Sequence, residues 1–519
     1  MITITEPTIA RFDDSYADKN IVDGANLDSR KLRLLKSQLK YIDKKIEYDI
    51  KRLKSSAHWY EGDKEKEAKY KIKLDSLKSE KQKSLLFEDE HGYYTYSGIA
   101  HSLASQFGDS VKVGYQLPSF GPLPYANKPK HEARPYQQIA HDKLLHSAHL
   151  GPRRVEIGTG LGKSTIIRML IKTIGLKTVV MAPSANIADQ LYKDFVYHFG
   201  KRYVGKFGDG KKQSDKLITV GIDDSLTLVE EGTEHWENLS KAQMFIADES
   251  HLVPSTTLAK VCLGLCKDAS YRFFFSATQI RNDGLDLVLN GITGETVFSM
   301  TVREGIEQEY LSKPHFKMIH IKSDVESKTT DPGRLTRQHL YYNNKVIQTA
   351  ASLANMYVKA LKRPTVILVE ELEQFTMLLP YLKYPARFAH GPLNDKRKKL
   401  IPKEYHDDDP TELVNLFNEG KIPILVGTSC IATGTDLQAV EALIYLQGKS
   451  SEIKTKQAVG RATRGGKKSF VFNPWTEKQK LDCIYIDFVI NNVELVNRHS
   501  YIRKGYYNEL YGPVIEVDM

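Results

Sequence analysis

Three short clusters in this 519-residue chain have the side chains and spacing for phosphate chemistry. The first is Gly158-Thr159-Gly160-Leu161-Gly162-Lys163-Ser164, which follows the apolar Val155 and precedes the helical pattern Ile166, Ile167, Met169, Leu170. Glycines let successive backbone N–H groups turn toward an anion, and a following helix N-terminus adds positive potential. Lys163 would reach the β- and γ-phosphates of a nucleotide, and Ser164 a magnesium ion. Ile157 stands where the strict phosphate-loop pattern has its first glycine, so the loop alone is an incomplete signal. The second cluster, Asp248-Glu249-Ser250-His251, ends the apolar run Met244–Ala247. Asp248 could hold the metal while Glu249 orients or deprotonates a water molecule. An acidic turn capping a strand is the plain alternative, but a glycine loop 85 residues earlier favours a joint site. The third cluster is Arg461 and Arg464, whose spacing of three predicts one shared helix face.

Such groups need rigid elements behind them, and the pattern of the chain supplies two sets. Short β-branched runs at Thr178–Met181, Leu217–Val220 and Met244–Ala247 alternate with helical patterns. After Lys313-Pro314 the alternation resumes at Lys317–Ile321, Thr365–Val369, Ile424–Val426 and Ala442–Tyr445. Two β/α series predict two parallel-sheet α/β domains. We therefore expect an N-terminal accessory domain over 1–130, a first α/β domain over 131–312 and a second over 313–519.

The net charge of +10 is concentrated: residues 30–83 hold eighteen Lys/Arg against nine Asp/Glu. Leu32, Leu35, Leu39, Ile42, Ile46, Ile50 and Leu53 recur at three-to-four spacing and predict one amphipathic helix. A weaker run through Tyr70, Ile72, Leu74, Leu77 and Leu85 predicts its partner, giving a basic helical hairpin over about 28–86, followed by a small aromatic, Gly/Pro-rich cap from 87 to 130. A polyanionic partner follows from the charge, although lysines that only solvate a helix pair are an equal alternative. The four cysteines form no CxxC pair, and reduced thiols without structural zinc are expected. No apolar run spans a bilayer and the first residues lack a signal pattern, which predicts a cytoplasmic protein (host cytoplasm if viral) without membrane contact.

GTGLGKS, DESH, Ser276-Ala277-Thr278 and Gln457-Ala458-Val459-Gly460-Arg461-Ala462-Thr463-Arg464 stand in the order of motifs I, II, III and VI of the superfamily 2 DExH-box helicases. The chain resembles that family over roughly 134–464, and the family often writes motif I without the first glycine. The resemblance implies two tandem RecA-like domains, ATP and Mg2+ as cofactors, and ATP-dependent helicase activity. It implies nucleotide contacts from Arg134 and Gln137, from Gly158 through Ser164, and from Gly434, Asp436 and Gln457. Lys163, Asp248, Glu249, Arg461 and Arg464 would be catalytic, with Ser164 and Asp248 at the metal. His251, Ser276 and Thr278 would couple hydrolysis to movement. Strand contacts would come from Pro183, Ser184, His390, Gly391, Thr428, Ser429 and the region Gly208–Lys212.

The stretch Gln279-Ile280-Arg281-Asn282-Asp283-Gly284 is similar to the branch of phage UvsW and XPB-like DNA helicases, and this implies duplex contacts by Arg281 and Asp283. Lys36, Lys40 and Lys44 of the hairpin join the expected nucleic-acid contacts. The expected partner is nucleic acid, branched or duplex DNA first, alongside recombination or replication proteins, with the chain acting as a monomer. Three alternatives are kept: a DExH RNA helicase, the motor of a restriction or defence complex, and a nucleic-acid-binding module with a vestigial ATP site.

Overall fold

Apolar alternation opens the chain. Ile2, Ile4, Ala10 and Phe12 are buried on one face of the antiparallel pair Ile2–Glu6 and Ile9–Phe12. The computed structural model describes residues 1–12, 27–55, 64–129, 131–250, 255–277, 284–432 and 437–518. They form two compact units: Met1–Glu156 with Lys163–Ser299, and Ile157–Gly162 with Met300–Met519.

In the first unit the opening pair is extended by Gly92–Tyr96 and Phe87–Asp89 on one side and by Val111–Val113 on the other, making a five-stranded sheet. The stretch after residue 87 is thus no separate cap. It completes a sheet begun at residue 2, and the basic region is inserted between the two contributions.

That basic region also departs from expectation. The single helix predicted through Leu53 is two helices, Leu27–Gln38 and Lys44–Ser55. Between them Lys40–Ile42 pairs antiparallel with Gln82–Ser84, Lys40 opposite Ser84. Asp43 restarts the helix, its carboxylate accepting from the backbone N–H of Lys45 at 3.0 Å and Ile46 at 3.3 Å. The apolar period runs through the break because each half uses it against something different. Leu35 and Leu39 are buried in the core of the first unit, while Ile50 and Leu53 lie on the helix that packs with Lys64–Glu80. The helical hairpin is therefore Lys44–Ser55 with Lys64–Glu80. Within its second arm Ile72 is 71% exposed, and Leu85 is buried beyond the ribbon rather than on the helix.

The rest of the first unit is built on an eight-stranded sheet. Its order is Lys211–Lys212, Val204–Gly208, Ile218–Ile222, Thr178–Ala182, Met244–Ala247, Tyr271–Ser276, Arg153–Ile157 and Glu295–Met300. The strands from Val204–Gly208 to Arg153–Ile157 pair in parallel and are buried on both faces almost throughout, with Lys206, Arg153, Arg154 and Arg272 among the buried residues. The helix Asp286–Thr293 docks closely on the N-terminal sheet. A side chain at Gly98 would lie 2.4 Å from the Gly291 carbonyl, and one at Gly291 would meet the Tyr96 ring at 3.0 Å.

The second unit has a seven-stranded, all-parallel sheet: Ala386–Ala389, Ile424–Gly427, Thr365–Leu368, Ala442–Tyr445, Asp482–Ile490, Lys313–Ile321 and Ile515–Asp518. The helix Glu494–Tyr511 is fastened to it by a buried ion pair. The Arg503 guanidinium donates to both carboxylate oxygens of Asp487, at 2.7 and 2.8 Å, and the Tyr507 hydroxyl donates to the same carboxylate at 2.9 Å. Among the described residues no helix is long and apolar enough to cross a membrane.

Candidate functional site

The glycine loop joins the strand Arg153–Ile157 to the helix Lys163–Ile174. Gly160 and Gly162 have φ of +87° and +78°, the left-handed region that lets backbone N–H groups curl inward. Gly158 has a second constraint, since a Cβ there would sit 2.8 Å from the Val302 side chain. Lys163 and Ser164 open the twelve-residue helix, where its positive end is strongest.

Met244–Ala247 and Arg153–Ile157 flank Tyr271–Ser276, so the carboxyl ends of three neighbouring parallel strands gather Asp248, Glu249, Ser276 and the glycine loop. Lys163 Nζ lies 2.5 Å from Glu249 Oε1, both side chains largely shielded from solvent. Asp248 accepts the Glu249 N–H at 2.9 Å. Burial, and secondarily the charge of Glu249, push the Asp248 carboxyl up to about 7 against the opposing pull of Lys163. Two carboxylates, one buried and one largely shielded, beside one ammonium form a site short of positive charge, which is the condition a divalent cation relieves. Glu249 also has φ +46°, a left-handed backbone that a non-glycine residue holds at a cost of about 1–3 kcal/mol. Nothing in the residue types around Glu249 announces that strain. It also hid Ser250, whose N–H and hydroxyl donate to the Phe275 carbonyl at 2.9 and 3.2 Å and tie the acidic turn to the strand ending in Ser276.

Arg134 and Gln137 begin the helix Pro135–Ser147, where the Gln137 amide oxygen accepts the Arg134 N–H at 2.9 Å. That bond fixes the orientation of the glutamine amide. Ser184 follows Pro183 and caps Ala185–Phe199 through its hydroxyl. Gly208–Lys212 forms a tight hairpin, with Asp209 and Gly210 both at positive φ.

In the second unit, Ala386–Ala389 and Ile424–Gly427 are neighbours, so His390 and Gly391 lie beside Thr428 and the start of the helix Ser429–Ala432. The Thr428 N–H donates to the Ala389 carbonyl at 3.1 Å. His390 is buried, its ring nitrogens 2.8 Å from the carbonyls of Gly391 and Tyr405, so it shapes this loop from beneath. Gln457 and Arg461 lie on the helix Glu452–Ala462. The shared helix face predicted for Arg461 and Arg464 is corrected: the helix ends at Ala462, and Arg464 instead bridges to Leu311 in an antiparallel pair. Burial pushes the Arg464 guanidinium down to about 10.

One glycine went unread as a site residue. Gly460 stands inside this helix, where glycine costs about 1 kcal/mol relative to alanine. A Cβ there would fall 2.5 Å from the Thr159 side chain, so the helix and the glycine loop meet at a distance only glycine allows. A glycine followed by arginine in a helical pattern was the available signal. His251, Thr278, Arg281, Asp283, Gly434 and Asp436 lie outside the described residues.

The family profile "Type III restriction enzyme, res subunit" matches residues 130–281, and "Helicase conserved C-terminal domain" matches 350–466. The protein designated helicase 22 of Sulfolobus islandicus filamentous virus (isolate Iceland/Hveragerdi) is 21% identical over 480 residues, 86% of this chain and 80% of that protein. Saccharomyces cerevisiae Dbp5 bound to RNA and ADP BeF3 superposes with a TM-score of 0.51 at 16% identity, over 75% of this chain and 90% of that one. T4 UvsW aligns with 100% of this chain and 99% of its own at 14% identity, with a TM-score of 0.40.

Proposed function

Because the chain belongs to the superfamily 2 helicases and is an ATP-dependent helicase, we propose that its substrate is branched or duplex DNA, which it remodels by migrating junctions, unwinding forks or R-loops and reannealing strands. The observation that carries the motor half of this reading is the Lys163–Glu249 contact beside buried Asp248 at the end of a parallel sheet. ATP with Mg2+ fits these residues and supplies the phosphoanhydride whose cleavage drives movement. Lys163 would exchange its carboxylate partner for phosphate oxygens, while Asp248 and Ser164 would hold the metal. Released from Lys163, Glu249 is positioned to orient a water molecule and take its proton. Arg461 and Arg464 would add positive charge at the γ-phosphate.

One observation favours DNA, and a second favours a polyanion of either kind. The profile matched over 130–281 is named for a restriction enzyme subunit. The surplus of nine positive charges within residues 30–83, including Lys36, Lys40 and Lys44, belongs to a region outside the motor motifs. Pro183, Ser184, His390, Gly391, Thr428 and Ser429 are proposed to hold or shape the grip on the strand backbone, a task for hydroxyls and amides that reads no sequence. Likeness to an RNA-bound helicase supports RNA as the second reading. Hydrolysis measured with replication forks, four-way junctions, single-stranded DNA and structured RNA separates them. Strongest stimulation by branched DNA is expected, and stimulation by RNA alone would replace the proposal with the second reading.

A further inference from the structure

The helix Leu27–Gln38 and the ribbon of Lys40–Ile42 with Gln82–Ser84 border a groove of about 480 Å³ that the nucleotide site does not use. Arg33 and Lys36, one turn apart on the helix, and Lys40 at the start of the ribbon line it, all exposed, and Tyr41, Ile42 and Gln82 complete it. None of the described residues lining it is acidic. The carboxylates of Asp43 and Glu47, on the neighbouring segment, are engaged by Lys83 at 3.4 Å and Lys81 at 3.1 Å. Lys36 is further steadied by the Tyr93 ring, 5.7 Å from its Nζ.

The groove belongs to a fixed surface. On the same helix Leu35, and just beyond it Leu39, are fully buried in the core of the first unit. The Ile42 carbonyl lies so close to Gly284, φ +76°, that a side chain there would come within 2.5 Å of it. The ribbon therefore abuts, backbone to backbone, the segment that follows the strand Tyr271–Ser276 in the motor.

Three cations converging on a concavity with no carboxylate among its described lining residues attract an anion. The adjoining tyrosine and the 46%-exposed Ile42 offer a surface suited to the flat face of a base. The volume is that of a single small-ligand site, too small to embrace a duplex. We propose that this groove binds one nucleotide unit of a single-stranded nucleic acid, with its phosphate on Arg33, Lys36 and Lys40 and its base against Tyr41 and Ile42. The inference rests on the reading of the chain as a nucleic-acid remodeller and deepens it by assigning an unpaired strand to the N-terminal region.

Fluorescence anisotropy of the full chain with a labelled oligothymidylate of about eight nucleotides tests it. Combined Arg33→Gln, Lys36→Gln and Lys40→Gln should weaken binding roughly tenfold or more and flatten the salt dependence by about one phosphate contact. Tyr41→Leu should weaken it several-fold while leaving the salt slope unchanged. Combined Lys69→Gln, Lys71→Gln and Lys73→Gln, which removes the same charge from the exposed third helix, should change it little. Equal losses in the two triple variants would overturn the groove in favour of diffuse attraction. Thymidine monophosphate competing as well as the oligomer would overturn the strand in favour of a free nucleotide, and inorganic phosphate serves as the anion-only competitor. Normal oligomer binding by the groove triple, beside DNA-stimulated hydrolysis in the wild type, removes this inference alone. Absence of any nucleic-acid stimulation in the wild type removes the remodelling function beneath it.

Discussion

Lys163 and Lys40 are the same residue type placed under opposite physics. Lys163 is 9% exposed and meets Glu249 at 2.5 Å beside a second buried carboxylate, so each charge alters its neighbours. Lys40 is exposed beside Arg33 and Lys36, where water and salt screen each charge and only their sum is felt at a distance. The contrast teaches that removing one charge in the nucleotide site changes chemistry, whereas the N-terminal region responds to the number of charges removed. It also explains why short motifs identify the first region while only charge density marks the second.

The largest effect that would break this comparison is at Arg464. If its guanidinium acts on the γ-phosphate, Arg464→Ala lowers kcat by roughly 10³–10⁵ with little change in nucleotide affinity. Titration with a fluorescent ATP analogue beside steady-state hydrolysis measures both. Parallel loss of binding and turnover would make its role structural, in keeping with its bridge to Leu311.

Next come Lys163→Ala and Glu249→Gln, each expected to cut turnover by roughly 10²–10⁴ while far-UV circular dichroism stays native. They differ in binding. Glu249→Gln keeps ATP and Mg2+, because Asp248 remains and loses the like charge that raises it, whereas Lys163→Ala leaves two carboxylates facing the phosphates. Wild-type turnover in either variant would reject the catalytic assignment.

A third arginine sharpens the contrast between chemistry and architecture. Arg503→Ala strands the Asp487 carboxylate in the interior and should cost about 3–5 kcal/mol of stability. Urea denaturation reads this directly, and a loss below about 1 kcal/mol would contradict the buried pair.

The smallest effect is a pH slope. Burial lowers the Lys480 ammonium from its ordinary 10.5 to about 8, although its Nζ donates to the carbonyls of Ala462 at 2.9 Å and Gln438 at 3.2 Å. The folded-state value lies below the unfolded one, so between about pH 8 and 10.5 the unfolded chain holds a proton that the folded chain lacks. Stability should therefore rise with pH across that window by up to about 1.4 kcal/mol per pH unit, the full penalty being present below pH 8. Lys480→Met should remove the slope. Denaturation curves of the two proteins from pH 8 to 10 that stay parallel would show that Lys480 does not titrate there.

The residue string by itself determined the local things. The apolar run Met244–Ala247 ending in Asp248-Glu249 makes a strand with carboxylates at its tip, because strand propensity and turn chemistry act over a few residues. Gly158–Ser164 likewise marks a phosphate loop from its own conformational freedom, and two β/α alternations mark two parallel sheets. Tertiary structure decided whatever depends on partners distant in sequence. The helix predicted through Leu53 breaks at Lys40–Ile42 because Gln82–Ser84, some forty residues on, offers those backbone groups a ladder. Phe87–Asp89 and Gly92–Tyr96 join a sheet whose first strand starts at residue 2. Gly460 must be glycine because Thr159, three hundred residues earlier, approaches it, and Arg503 is buried because Asp487 receives it. Periodicity reports which face of a segment is apolar; it carries no information on what covers that face, and that is settled only when the chain closes on itself.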